Sequence, residues 1–221
     1  ALTDDLLVKV CSYITDPVTT TDELIPSGET SSYRSNPERL SEFALSRRDP
    51  QYVSRSKVMR QIERDREAGK ALPEEVMKVY EALTKAGIAN DPANTDIGST
   101  IFANMPGDGS AREQAASCQR VMGASANFAK QYATKRYRSN CINWGMTPFL
   151  VENPEVFELG DYIFVPGIRE AVLENKASFS AYAVKPDGTV TEFPVSTGAL
   201  TEAERQIIAD GCLINYYRNN Q

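Results

Sequence analysis

The stretch IGSTIFANMPGDGSAREQAA, residues 97–116, changes the character of the chain and decides its fold. The apolar run Ile97–Ala103 predicts a buried strand. A turn with two glycines follows, and the next residues predict a helix from about Ala111 to Met122. A strand, a glycine turn and a helix in this order indicate a parallel α/β element.

The rest of the C-terminal half continues this pattern and then becomes β-rich. Three runs predict a strand, a helix ending at Gly145 and a strand: GASANFAKQYA (123–133), KRYRSNCINWG (135–145) and MTPFLVE (146–152). Three later runs predict short strands: GDYIFVPG (160–167), SFSAYAV (178–184) and TVTEFPVS (189–196). KPDG at 185–188 predicts a hairpin turn, and Thr201 with Glu204 predicts a capping box that begins one last helix to Asn219.

The N-terminal half is less regular. DDLLVKVCSY (4–13) predicts a short helix, and residues 16–37, rich in Thr, Ser and Pro, predict an ordered loop. The strongly charged run at 55–69 predicts a surface helix. Pro73 predicts the start of a second helix that ends at Gly87.

Composition narrows the possible chemistry. The 221 residues suit one domain or a domain with an added helical arm. The net charge of -6 argues against a general nucleic-acid surface. The chain has no histidine, which excludes Ser-His-Asp and Cys-His catalysis and any His-ligated metal within it. A general base here must therefore be a carboxylate, a lysine, a tyrosine or an activated hydroxyl.

The four cysteines lie far apart, at positions 11, 118, 141 and 212. This spacing is typical of reduced, buried thiols and argues against an iron–sulfur cluster held by this chain alone. Since no apolar run reaches transmembrane length and no signal peptide leads the chain, we expect no membrane partner and a cytoplasmic location.

The glycine turn carries the first candidate site. Gly107, Gly109 and Ser110 lead into the helix, and Arg112 lies in its first turn. Free N–H groups, the helix dipole and a guanidinium suit a carboxylate, a phosphate or an oxyanion. The alternative is that Ser110 is only an N-cap residue and the glycines only turn residues.

Two further groups are candidates. Thr20–Asp22, followed after a glycine-containing loop by Arg34, is one; its alternative interpretation is a solvated loop with a local side-chain turn. The other is a basic cluster whose alternative is a helix face paired with the acidic surface. It comprises Lys135, Arg136, Arg138 and Asn140.

Taken in order, these motifs resemble the C-terminal swivel domain of the aconitase superfamily, which includes isopropylmalate isomerase and homoaconitase. They are TTD-x5-G-x5-R, G-x-G-S-x-R-E-x-A-A, N-x4-G-x-x-P and LGDYI, followed by a late helix. Aconitase has TTDH and GEGSSREHAA where this chain has TTDE and GDGSAREQAA. The resemblance covers roughly residues 18–218. It implies a single swivel domain over 1–221, with 1–15 as an N-terminal arm and about 38–95 as a partly helical, loosely matched segment.

The resemblance implies a fold and an activity. The fold is an α/β swivel domain, with mixed β-sheets in a compact barrel-like core and flanking helices. The activity is that of a hydro-lyase that dehydrates and rehydrates a hydroxy-di- or tricarboxylate at a [4Fe–4S] cluster. The cluster ligands lie outside this chain, in the remaining domains or a large subunit, so the isolated domain is expected to be inactive.

The resemblance also implies residue roles. Ser110 is the catalytic base, Arg112 stabilises its anion, and Asp22 is a catalytic-site residue that acts as a polar partner. Arg34 grips a substrate carboxylate, and the other substrate-binding positions are Gly107, Gly109 and Ala111.

Three differences from the aconitase motifs indicate a divergent member of the superfamily: Ala111 replaces a serine, and Glu23 and Gln114 replace histidines. The alternative function is a non-catalytic anion-binding or regulatory module that uses the same glycine turn. RNA binding, known among aconitase relatives, is disfavoured by the acidic balance.

Overall fold

The computed structural model describes residues 1–26, 33 and 35–221. Its strands are β1 (Asp5–Ile14), β2 (Thr19–Thr20), β3 (Thr95–Ala103), β4 (Pro106–Asp108), β5 (Ala124–Ala129), β6 (Thr147–Leu150), β7 (Tyr162–Val165), β8 (Phe179–Val184) and β9 (Val190–Val195). Its helices are α1 (Thr21–Leu24), α2 (Pro37–Ser41), α3 (Tyr52–Glu67), α4 (Glu74–Lys85), α5 (Arg112–Val121), α6 (Lys135–Asn143), α7 (Ile168–Leu173), α8 (Glu202–Asp210) and α9 (Leu213–Asn219). None of the helices in these ranges is long and apolar enough to cross a membrane.

Seven strands form one mixed sheet in the order β6-β5-β3-β1-β7-β8-β9. The four strands from β6 to β1 are parallel, and β7, β8 and β9 continue the sheet antiparallel. The sheet curls into a half-barrel, and a bridge between Leu150 and Ser196 joins its two edges at one end. The predicted α/β fold with a barrel-like core and flanking helices is confirmed.

The prediction of a helix at residues 4–13 is wrong. This segment is β1, and it pairs with β3 on one side and β7 on the other, at the centre of the sheet. Leu6 and Val8 face one core while Leu7 and Cys11 face the other, so both faces are buried. A strand buried on both faces has a continuous apolar run that periodicity alone cannot distinguish from a helix. The expected N-terminal arm is therefore part of the sheet.

Two cores lie on opposite faces of the sheet. One is covered by α2 to α5, with large buried side chains such as Tyr52, Met59 and Leu83. The other is enclosed by the curl of the sheet and covered by α7 and α8, with Phe128, Phe149 and others. The charged helix at 52–67 was expected at the surface, but one of its faces belongs to the first core.

Most other element predictions are confirmed, with two differences. The predicted loop at 16–37 contains β2, α1 and the start of α2. The single last helix is two, because Gly211 has a left-handed backbone (φ 103°) that ends α8 and separates it from α9. The capping box of Thr201 and Glu204 is present as predicted.

The carboxyl ends of the parallel strands meet at one edge, where α/β proteins usually bind ligands. Asn104, which follows β3, donates from Nδ2 to the carbonyl oxygens of Thr15 (2.9 Å) and Asp16 (3.2 Å), which follow β1. The amide of Lys130, after β5, donates to the Asn104 carbonyl at 3.1 Å. The glycine turn leaves the sheet from this edge.

Candidate functional site

The glycine turn is shaped by two close backbone approaches. Gly107 (φ 100°) packs against the ring of Tyr137, so that a Cβ there would lie 2.4 Å from the ring carbons Cγ and Cδ2. Gly109 (φ 132°) packs against Thr21, and a Cβ there would lie 2.3 Å from Oγ1. Both positions have a left-handed backbone and lack space, so each requires glycine for two reasons.

A small parallel sheet brings the Thr20–Asp22 motif to the glycine turn. β2 pairs with β4, with Thr19 opposite Pro106 and Thr20 opposite Asp108. The two motifs enclose a cleft of about 320 Å³. It is lined by Thr20, Thr21, Asp22, Asp108, Gly109, Ser110 and Ala111. Described members of two of the three candidate groups therefore line one cleft, whereas Gly107 and Arg112 are not among its lining residues.

Ser110 is exposed at this cleft and does not cap the helix. The N-cap of α5 is Ala111, and no side chain in the described part of the chain accepts a cap hydrogen bond there. The interpretation of Ser110 as a simple N-cap residue is therefore wrong. This ten-residue helix, with its first-turn N–H groups and the positive end of its dipole, starts from Ala111, which lines the cleft.

Arg112 occupies the first position of α5 with part of its guanidinium buried. Its Nε is buried and has no hydrogen-bond partner among the described residues. A buried N–H without a partner is unfavourable by about 1–3 kcal/mol. Such a group beside an uncapped helix start is suited to an anion.

Asp22 lines the cleft and is half-exposed. Its Oδ2 lies 3.1 Å from Nη1 of Arg47, a residue that no sequence motif singled out. Glu23 completes a capping box in which its Oε2 accepts from the Thr20 amide at 2.7 Å. The residue that replaces the family histidine thus stabilises α1. Arg34 lies outside the described residues.

A buried polar network supports the turn from below, and sequence reasoning missed it. Tyr137 is fully buried, and its hydroxyl accepts from Gln119 Nε2 at 3.0 Å and from Asn127 Nδ2 at 3.2 Å. Asn127 Nδ2 also lies 3.4 Å from Cys141 Sγ. Burial raises the pKa of Tyr137 well above its usual value and that of Cys141 to about 12. Both groups are therefore neutral supports at physiological pH.

The residues of the basic cluster, which lie on α6, are not among those that line the cleft. Arg138 Nη2 donates to the carbonyl oxygens of Thr197 (3.0 Å) and Ala199 (2.9 Å), and Nη1 approaches Glu204 at 3.5 Å. Its contacts fix the chain after β9 to α6, which agrees with the structural alternative for this cluster.

A larger groove of about 660 Å³ lies at the opposite edge, near the amino ends of the parallel strands. Several of its charged side chains have partners: Arg60 pairs with Glu38 at 3.0 Å, and Glu63 Oε2 accepts from the Ile97 amide at 2.7 Å. Size alone therefore does not make this groove the better candidate site. Among the described residues, no group of three or more Cys, Asp or Glu side chains could hold a metal ion.

No family model matches the chain. Over 138 residues it is 30% identical to the methanogen homoaconitase small subunit of Methanocaldococcus jannaschii, a stretch that makes up 62% of this chain and 72% of that protein. The chain belongs to the aconitase superfamily. The fold of this chain is similar to a crystal structure of 3-isopropylmalate dehydratase from M. jannaschii, with a TM-score of 0.57 and 19% sequence identity. The match covers 97% of this chain and 95% of that one, which supports the swivel-type fold.

Proposed function

We propose that this chain is the swivel-type part of an aconitase-like hydro-lyase that removes water from a hydroxy-di- or tricarboxylate and adds it back. The observation that carries the proposal is the cleft itself. There Ser110 is exposed beside a helix start without a side-chain cap. Two residues further on, Arg112 has a buried Nε that has no hydrogen-bond partner among the described residues. The sequence similarity to a homoaconitase small subunit supports hydro-lyase chemistry as the class of reaction.

Arg112 and the first turn of α5 would hold the negative charge of the site. A serine hydroxyl is a weak base unless its anion is stabilised. Backbone N–H groups, the helix dipole and a guanidinium supply that stabilisation. Ser110, as the alkoxide, would take the proton bound to the carbon next to a substrate carboxylate while the hydroxyl on the neighbouring carbon departs.

The iron–sulfur cluster implied by the resemblance does not fit this chain alone. Cys11, Cys118 and Cys141 are buried and Cys212 is only partly exposed. No group of three or more Cys, Asp or Glu side chains among the described residues could hold a metal ion. A cluster-bearing large subunit or further domain would have to face the cleft. When bound, such a cluster would supply a Lewis acid for the departing hydroxyl. Asp22, Gly107, Gly109 and Ala111 would shape this chain's side of the site, together with Arg34.

The test uses the complete, cluster-loaded enzyme and a panel of hydroxy-di- and tricarboxylates. Ser110→Ala should lower kcat by about 10²- to 10⁴-fold with little change in substrate binding. Ser117→Ala is the matched control, since Ser117 lies on α5, donates to the Gln114 carbonyl at 3.3 Å and is not among the residues that line the cleft. Turnover that survives Ser110→Ala would contradict the serine base and favour a non-catalytic anion-binding module.

A further inference from the structure

The segment that follows α2 is fixed to the edge of the sheet that carries the cleft. The amide of Leu45 donates to the Leu24 carbonyl at the end of α1, at 2.9 Å. Arg48 pairs with Asp16, just after β1, and Asp49 Oδ2 accepts from Ser12 Oγ on β1 at 2.7 Å. Arg47 lies between these contacts.

The backbone of this segment is bent at Leu45. Leu45 has φ 57°, a left-handed conformation rare for a residue with a side chain, and it is fully buried. Such a conformation persists only where the surrounding structure imposes it. The bend, the core contact and the hydrogen bond to Leu24 together fix the start of the segment whose Arg47 reaches Asp22.

The charge of the cleft explains why this placement matters. Asp22 and Asp108 both line a site whose other features attract an anion. A carboxylate within several ångströms of a bound anion repels it, and this repulsion is several times stronger at the effective dielectric of a protein surface than in bulk water. Asp22 is therefore unfavourable for substrate unless a cation compensates it, and Arg47 Nη1 lies 3.1 Å from its Oδ2.

We propose that Arg47 is a positioning residue that compensates the charge of Asp22 and so sets the affinity of the cleft for highly charged substrates. The inference rests on the proposed function, because it deepens the account of the same site. Compensation matters more for a tricarboxylate than for a dicarboxylate, since the repulsion grows with substrate charge.

The experiment compares Arg47→Ala with Arg48→Ala in the complete, cluster-loaded enzyme. Each variant removes one positive charge and, among the described residues, one ion pair with an aspartate. Of these two aspartates, Asp22 and Asp16, only Asp22 lines the cleft. Arg47→Ala should raise KM for a hydroxytricarboxylate about three- to tenfold, with a smaller rise for a hydroxydicarboxylate and with kcat nearly unchanged. The rise should shrink at high salt. Arg48→Ala should leave KM unchanged.

A double-mutant cycle separates charge compensation from a purely structural role. In the Asp22→Asn background, Arg47→Ala should change KM less than about twofold, because the Asp22 carboxylate that Arg47 compensates is no longer charged. A rise in KM that is equal in both backgrounds, or equal for Arg47→Ala and Arg48→Ala, would overturn the inference.

Failure of the proposed function would look different. Wild-type enzyme would then turn over none of the hydroxy acids. In that case the dissociation constant for propane-1,2,3-tricarboxylate would be measured by titration calorimetry for the wild type and for the same variants. Weaker binding in Arg47→Ala than in Arg48→Ala would support the inference even then. Equal binding, or no binding by the wild type, would overturn it.

Discussion

The ring of Tyr137 fills the space that a side chain at Gly107 would need. A Cβ on Gly107 would lie 2.4 Å from two ring carbons, and Tyr137 is itself held by hydrogen bonds to Gln119 and Asn127. The glycine turn is therefore supported by a rigid, buried group on α6. The position of Ser110, three residues further on, depends on that support.

This contact predicts an unequal pair of glycine substitutions. Gly107→Ala should lower the free energy of unfolding by about 2–4 kcal/mol, because it adds overpacking to left-handed strain. Gly87→Ala should lower it by only about 1 kcal/mol, since Gly87 has a similar backbone (φ 79°) with nothing within 4 Å of a Cβ. Urea denaturation measures both values, and equal losses would contradict the contact with Tyr137.

The elements around the turn could be predicted from sequence, whereas the assembly of the site could not. The strand, turn and helix from residue 95 to 121 have strong local signals, and they are found where those signals indicate. Thr20 and Asp108 pair although they lie far apart in the chain. Only the family resemblance suggested that their two motifs share a site. β1 was misassigned because burial on both faces removes the alternation that identifies a strand.

The supporting residues gave no local signal at all. Gln119, Asn127 and Tyr137 are isolated polar residues in three different elements, and their hydrogen bonds exist only once α5, β5 and α6 pack together. Arg47 was likewise hidden in a run of charged residues. Its relation to Asp22 depends on the bend at Leu45, which no residue preference indicates.

Removing the Tyr137 hydroxyl should destabilise the protein without displacing the turn. Tyr137→Phe keeps the ring against Gly107 but leaves the amides of Gln119 and Asn127 with fewer partners, so we expect a loss of about 1–3 kcal/mol in unfolding free energy. Tyr217→Phe, at a position 58% exposed, should change nothing measurable. KM and kcat of Tyr137→Phe should stay close to wild type. A large activity loss would show that the hydroxyl, and not the ring, positions the turn.

Alkaline pH should weaken the same network. Burial raises the pKa of Cys141 from 9.0 to about 12. The neutral thiol is thus favoured by the fold, and its stabilising contribution is complete below pH 9 and is lost as pH rises towards 12. Unfolding free energy, measured by denaturant titration across this range, should fall less steeply in Cys141→Ser than in wild type. Cys212→Ser, at a partly exposed position, is the control. Identical slopes in all three proteins would contradict the burial of Cys141 as a neutral thiol.

Asp161, in the LGDYI motif, is a buried carboxylate that depends on Lys185. It is 1% exposed, and its Oδ2 accepts from Lys185 Nζ at 2.8 Å and from the Glu158 amide at 3.0 Å. Lys185→Met leaves the buried charge with the amide alone, so the free energy of unfolding should fall by about 2–3 kcal/mol. Because Asp161 raises the pKa of Lys185, this contribution should be present at neutral pH and lost as pH rises above about 10.4.

Two comparisons test that interpretation of the pair. Lys176→Met removes an exposed lysine 3.7 Å from Glu174, and its effect should stay below about 0.5 kcal/mol. Adding Asp161→Asn to Lys185→Met should restore part of the lost stability, because no uncompensated charge then remains buried. Urea titrations at pH 7 give all the values. If Lys185→Met and Lys176→Met were equally mild, Asp161 would have to be satisfied without its lysine, and the motif would owe its stability to the backbone contact alone.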